Sequence, residues 1–177
     1  LQFFFSIFLA RILLPEEFGL VAMTSVFFVI GNSFINAGFG HALIQKKNAD
    51  KIDESSIFYF NIVIAFFVSV ILYNSSKFIS TFYNEPILND IIKVLPLALI
   101  FNALGLVQRT LLSKTLDFKT QMKARLLTSL ISGGVAIYLA LNGYGVWSLV
   151  ALLICSEFFD TLFLWIFCSW RPIFLFS

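Results

Sequence analysis

The chain has 177 residues, of which 59% are hydrophobic and only 12% charged, with a mean hydropathy of +0.93. Soluble domains carry about 25% charged residues, so the composition excludes a water-solvated globule and makes lipid the solvent. The net charge of +2 is accounted for by basic loops, which leaves no nucleic-acid signature.

Six apolar runs follow in chain order: 1–13, 18–38, 56–75, 91–111, 124–141 and 146–168. A membrane-crossing helix needs roughly 20 mostly apolar residues, and all but the first run have that length. The first, LQFFFSIFLARIL, is too short to span and has no initiating Met, which predicts a chain that starts inside a membrane helix. It lacks the basic leader and small-residue cleavage site of a secretory signal.

Lysine and arginine orient the spans, because short cytoplasmic loops collect them. Nine of the twelve fall on one predicted side: Lys46, Lys47, Lys51, Arg109, Lys114, Lys119, Lys123, Arg125 and Arg171. Arg11, Lys77 and Lys93 fall on the other. Loops 39–55 and 112–123 and the tail 169–177 are therefore expected in the cytoplasm. Trp and Tyr favour the headgroup level; Tyr73, Tyr83, Tyr144 and Trp147 mark the outer edge and Trp165 and Trp170 the inner one.

Polar residues inside the spans are the functional candidates. Glu157 and Asp160 lie near the middle of the last span, three apart and so on one helical face, with Ser156 and Thr161 extending the stripe. Each carboxylate costs about 2.5–3.5 kcal/mol at mid-bilayer, which predicts that the stripe faces other helices or a wet cavity. Two readings stay open: an ion-coupling or substrate site, or carboxylates kept neutral or paired to a neighbouring helix for packing alone. Arg11, followed by Pro15, Glu16 and Glu17, is either an arginine reaching to the interface or a cavity cation for an anionic headgroup such as diphosphate.

Ser25, Asn32 and Asn36 share one face of the second span, and Asn102, Gly105 and Arg109 one face of the fourth. Such small and amide side chains glue membrane helices together and are compatible with lining a cavity. Pro96 is expected to bend the fourth span, and Gly133-Gly134 to permit close approach in the fifth. His41 is the one histidine; without a nucleophile, a second ligand or an acidic partner at a motif spacing, it gives little support to a catalytic base. No glycine-rich phosphate loop is present. Cys155 and Cys168, thirteen residues and roughly 20 Å apart on one helix, cannot pair with each other. Neither a metal nor a cofactor is called for. A weak internal echo links FLARILLPEEFGLVAM to YLALNGYGVWSLVAL.

The blocks ARILLPEEFGLVAM (10–23), GFGHALIQKK (38–47), FYNEPIL (82–88), LGLVQRTLLSKTLDFK (104–119), GYGVWSLVA (143–151) and WRP (170–172) closely resemble the bacterial polysaccharide flippases. These are the O-antigen, colanic acid and teichuronic acid exporters of the multidrug/oligosaccharidyl-lipid/polysaccharide superfamily. Leu14 departs from the Thr that often precedes the Pro-Glu-Glu-Phe-Gly block. The resemblance implies an all-α integral membrane protein whose six transmembrane helices form most of the N-terminal lobe of a two-lobe transporter of the MATE type, with the C-terminal lobe lying beyond this chain. It implies alternating access and a substrate of oligosaccharide on undecaprenyl diphosphate, in the bacterial cytoplasmic membrane, with membrane lipid and polysaccharide polymerase machinery as further partners. Arg11 matches a position where related lipid flippases place cavity arginines, and Glu17 an acidic residue just after it. The cavity candidates are thus Arg11, Glu17, Asn32, Asn36 and Asn102, and the ion-coupling candidates Glu157 and Asp160. Two rivals remain: a small-molecule antiporter of the same superfamily, and a membrane-bound glycosyl- or acyl-transferase, which would need a surface histidine or carboxylate site served by a large loop.

Overall fold

A computed structural model describes residues 2–36 and 50–173, with side chains from Phe5 onward, and it is all-helical over them. His41, Lys46, Lys47 and the 38–47 block lie outside the described residues. The helices are α1 (Gln2–Ile12), α2 (Pro15–Ile35), α3 (Lys51–Tyr83), α4 (Ile87–Lys114), α5 (Phe118–Leu141) and α6 (Val146–Phe167). Five of them, α2 to α6, are long and apolar enough to cross a membrane.

Helices occupy the six apolar runs; four of them, α2 to α5, extend past their run at one end or both, while α2 ends at Ile35 and α6 at Phe167. The 18–38 span begins three residues earlier because Pro15 pre-sets the first helical turn. Glu17, at the third helical position, accepts the Leu14 N–H at 2.8 Å. Leu14 itself has no side-chain oxygen to return the bond, so the capping box is only half made. The 56–75 span grows to 33 residues. It starts at Lys51, where Asp53 accepts the Asp50 N–H at 3.2 Å, and stops where Asn84 turns left-handed at φ 56°. Tyr73 accordingly sits ten residues, about 15 Å, inside the end of a helix that, at about 50 Å, is longer than the hydrocarbon layer is thick. The expected loop 112–123 shrinks to residues 115–117, because α4 runs on to Lys114 and Asp117 caps α5. Its carboxylate takes the Thr120 hydroxyl at 2.7 Å and the Thr120 N–H at 3.1 Å, and these bonds hold its pKa below the usual carboxylate range.

Two antiparallel hairpins, α3–α4 and α5–α6, make the body of the bundle. They join through α4 packed beside α6, while α1 lies on α5 and α2 crosses α3 and α4. α4 is the central helix: 61% of its apolar window is buried, against 17–33% for the other four spans. Pro96 is buried within it without ending it. Around α4, Ile35, Ala65, Leu72, Leu99 and Ala103 pack as one core, and Ile91, Val146 and Val150 as another.

The basic connections share one end of the bundle. Trp170, just beyond α6, donates its indole N–H to Glu54 at 2.6 Å, and the Ile173 N–H meets the Ser55 hydroxyl at 3.0 Å. Trp170 also packs on Phe58, and Arg171 caps the end of α6 by donating to the Trp165, Cys168 and Trp170 carbonyls. At the opposite end the Glu17 carboxylate presses against Gly145 in the α5–α6 turn. That contact brings together the two segments whose sequences echo each other.

Two glycines show what the backbone tolerates. Gly145 has φ +53° and no room for a Cβ beside Glu17, whereas Gly134 is helical with nothing within 4 Å. Gly145→Ala is expected to lower stability by about 1–3 kcal/mol, and Gly134→Ala to raise it by about 0.5–1 kcal/mol. Thermal unfolding of the two variants in detergent, side by side, checks the opposite signs.

Candidate functional site

The polar stripes of α4 and α6 face each other. The two helices run parallel, both starting at the Gly145 end, so one face of α4 meets one face of α6 along their length. Gly105 makes this approach close: a Cβ there would stand 2.7 Å from the Thr161 hydroxyl. Thr161 donates to the Phe101 carbonyl at 2.6 Å and Trp165 to the Leu104 carbonyl at 3.0 Å. The fully buried Gln108 amide, turned so that both its ends are satisfied, donates to Leu104 and accepts from Trp165. These bonds to main-chain carbonyls fix the rotation of α6 on α4.

The same rotation aims the two carboxylates inward. Asn102 donates its side-chain amide to Glu157 at 2.9 Å. Arg109 donates to Asp160 at 2.5 Å, a charge-assisted ion pair with both partners mostly withdrawn from the surface. Beside these pairs lies a cavity of about 270 Å³ lined by Arg109, Ser156, Glu157 and Asp160 from α4 and α6 and by Arg125, Thr128, Ser129 and Ser132 from α5. α5 packs tightly on α6 but touches α4 only slightly, and the cavity occupies the gap. It reaches from Arg125, about two turns into α5 from the basic end, to Ser132 near that helix's middle.

Three features set its chemistry. Arg125 is exposed and makes no hydrogen bond or ion pair with any described residue, and it lines the same cavity as Glu157. The Thr128 hydroxyl and the Arg109 Nε–H are buried and unpartnered. Ser129, Ser132 and Ser156 donate to carbonyls of their own helices at 2.7–3.0 Å, which leaves their oxygens free to accept. The site therefore offers guanidinium donors and a set of oxygen acceptors, two carboxylates among them, inside a bundle of helices long enough to span a membrane.

Of the sequence candidates, the structure brings Asn102, Glu157 and Asp160 together. It does not bring Arg11, Glu17, Asn32 or Asn36 to this cavity. Arg11 is exposed and paired with no described residue, Glu17 caps α2, and Asn36 donates to Asn32 along their shared face at 2.8 Å. Sequence reasoning placed Arg109 on a packing face with Asn102 and Gly105 as well as among the cations of the basic side, counted Arg125 only among the latter, and passed over Thr128 and Ser132. The spacing of Asn102, Gly105 and Arg109 was the available signal, since an arginine on the same face as an amide and a glycine is set against a helix, not against water. Among the described residues no group of three metal-ligating side chains forms.

With this geometry established, comparison with known proteins gives a consistent result. The family described as "Polysaccharide biosynthesis protein" matches residues 8–177. The succinoglycan biosynthesis transport protein of Rhizobium meliloti is 28% identical over 169 residues, covering 96% of this chain and 34% of that protein. The teichuronic acid biosynthesis protein of Bacillus subtilis is 28% identical over 154 residues, covering 84% and 31%. The lipopolysaccharide biosynthesis protein of Escherichia coli is 28% identical over 110 residues, covering 62% and 22%. The chain thus spans about a third or less of these relatives. No solved structure matches it significantly.

Removing one member of the α4–α6 ion pair strands the other. Arg109→Ala is expected to cost on the order of 3 kcal/mol, and Arg109→Ala with Asp160→Asn less than the sum of the single changes, by about 1 kcal/mol or more. A double-mutant cycle read by reversible unfolding in bicelles measures that coupling.

Proposed function

The chain belongs to the polysaccharide biosynthesis protein family, and from that premise we propose that the protein it represents exports lipid-linked oligosaccharide repeat units across the bacterial cytoplasmic membrane for surface polysaccharide synthesis. It acts as a transporter rather than an enzyme. The observation that carries this reading is the hydroxyl- and charge-lined cavity inside a bundle of spanning helices. A polar sugar crossing hydrocarbon needs hydrogen-bonding groups along its path, and intramembrane ionisable residues mark such paths. The names of the relatives, one of them a transport protein, support the same direction.

In this reading the described helices form one lobe of a two-lobe protein that works by alternating access, with a second lobe closing the other side of the path. The basic end, holding the 115–117 turn and the segment after α6, faces the cytoplasm, as the crowding of lysine and arginine there supports. The substrate's undecaprenyl chain stays in the bilayer while its sugars cross. Glu157 and Asp160 give an ion gradient a handle on the two states, provided that one state binds the ion more tightly than the other.

A strain lacking the gene should accumulate lipid-linked repeat units on the inner leaflet and lose surface polysaccharide. Restoring the gene with Glu157→Gln and Asp160→Asn should return the protein to near its normal membrane level but export to well below it. Normal surface polysaccharide in the deletion strain would rule out the export reading, and parallel losses of protein and export would assign the carboxylates to packing.

A further inference from the structure

We propose that the basic end of the bundle binds one phospholipid with an ethanolamine headgroup, the headgroup seated between the start of α3 and the segment after α6 and one acyl chain lying in an apolar groove of the α4–α6 seam. The site lies apart from the cavity between α4, α5 and α6, and the inference goes beyond the export reading without resting on it.

The groove determines where the chain lies. Phe101 and Leu104 of α4 and Phe158, Thr161, Leu162 and Trp165 of α6 enclose about 320 Å³. Phe158 and Leu162 are exposed, so the groove opens outward from two spanning helices, where the medium is hydrocarbon. The two polar groups of its lining are already engaged: Thr161 donates to the Phe101 carbonyl and Trp165 to the Leu104 carbonyl. A groove with no donor left to offer takes hydrocarbon and rejects sugar. From Phe158 to Trp165 it follows seven residues, roughly 10 Å of helix, which matches a stretch of extended acyl chain.

At Trp165 the groove meets a polar space. The Arg171 guanidinium lies over the Trp165 ring, 5.3 Å from its centroid, and also lines a cavity of about 580 Å³ at the basic end. Leu104 lines the groove and Leu111 that cavity, and both pack with Trp165 and Trp170 in one cluster. An apolar channel that ends in a polar chamber, with a tryptophan at the junction, repeats the order of tail and headgroup in a phospholipid, since tryptophan favours the headgroup level.

Charge selects the headgroup. The chamber is lined by two cations, Lys51 and Arg171, and two carboxylates, Glu54 and Asp117. The exposed Lys51 ammonium makes no hydrogen bond or ion pair with any described residue. Arg171 gives three of its five N–H groups to carbonyls and pairs with no carboxylate among the described residues. Glu54 accepts the Trp170 indole through one oxygen. A phosphate alone would meet the repulsion of the carboxylates along with the pull of the cations, and a quaternary ammonium has no N–H for a carboxylate to accept. A phosphate joined to a primary ammonium answers both signs, its oxyanion toward Lys51 and Arg171 and its three N–H donors toward Glu54 and Asp117.

The test incubates the full-length protein, purified in detergent, with an equimolar mixture of phosphatidylethanolamine, phosphatidylcholine and phosphatidylglycerol of one acyl composition together with undecaprenyl phosphate, and reads the retained lipids by native mass spectrometry. Phosphatidylethanolamine should be retained about tenfold over each of the others, the size of one charge-assisted contact. Glu54→Gln with Asp117→Asn keeps an acceptor for Trp170 and a cap for α5, and should erase the preference over phosphatidylcholine. Lys51→Gln should lower retention of all three phospholipids, and Leu162→Trp, which fills the groove, should lower them alike. Equal retention of phosphatidylethanolamine and phosphatidylcholine, tighter phosphatidylglycerol, or an unchanged preference in the double variant with a native melting temperature would each overturn the proposal. Undecaprenyl phosphate retained ahead of phosphatidylethanolamine would overturn it as well, by assigning the site to a transported lipid.

Discussion

A charged side chain at membrane depth must find a partner or stay out, and in this protein that constraint falls on the contact between α4 and α6. The mid-bilayer cost of about 2.5–3.5 kcal/mol per charge would push Glu157 and Asp160 toward rejection from the span if they faced lipid. Instead they meet Asn102 and Arg109. The meeting requires the helices to approach closely, and Gly105 against Thr161 supplies the approach. Placement of α4 at the centre of the bundle follows, since it must serve α6 on one side and α2 and α3 on the other. So does the cavity, because α5 follows α6 and is left only slight contact with α4.

Lipid removes the usual hydrophobic drive for bringing helices together, so packing, interhelical hydrogen bonds and small residues carry the association. The two ends of the bundle show this. At one end the Glu17 carboxylate ties the start of α2 and fits only because Gly145 has no side chain. At the other, Trp170 and Ile173 bond to Glu54 and Ser55 and close the segment after α6 over the start of α3. Inside, Phe5 rests on Gly133 and Leu9 packs with Ala136 and Ala140. The apolar bulk of the chain is left for lipid or for other surfaces, as exposed Phe66, Phe67 and Phe78 illustrate.

Much of this was legible in the sequence, and the reason is that lipid imposes simple rules. Apolar runs gave the helices, and the lysine and arginine pattern grouped the connections as the contact of Trp170 with Glu54 groups them. Helix ends were less legible, because caps such as Asn84 and Asp117 are local polar events that a hydropathy reading blurs. The candidate site was half legible. Glu157 and Asp160 stood out by their cost and Asn102 and Arg109 by their shared face, but the pairing of the two faces was not legible, because an arginine near a helix end also reads as a loop cation by composition. Glu17 caps α2, and Arg11 lies exposed on α1, away from the cavity between α4, α5 and α6. Thr128 and Ser132 carried no signal, since Ser and Thr in membrane helices ordinarily bond their own backbone.

Packing and function are not alternatives at the Arg109–Asp160 pair. Replacing a buried ion pair with apolar residues is often neutral or stabilising, and α4 is already held to α6 by Thr161, Trp165 and Gln108. On the export reading, the pair serves ion coupling as well as packing. Packing accounts even less for Arg125, which bonds to no described residue, or for the Thr128 hydroxyl, buried without a partner. A buried hydroxyl such as that of Thr128 weakens a structure in lipid more than in water, because no solvent reaches it. Thr128 lines the same cavity as the two carboxylates, and on the export reading a polar substrate passing there gives its hydroxyl a partner.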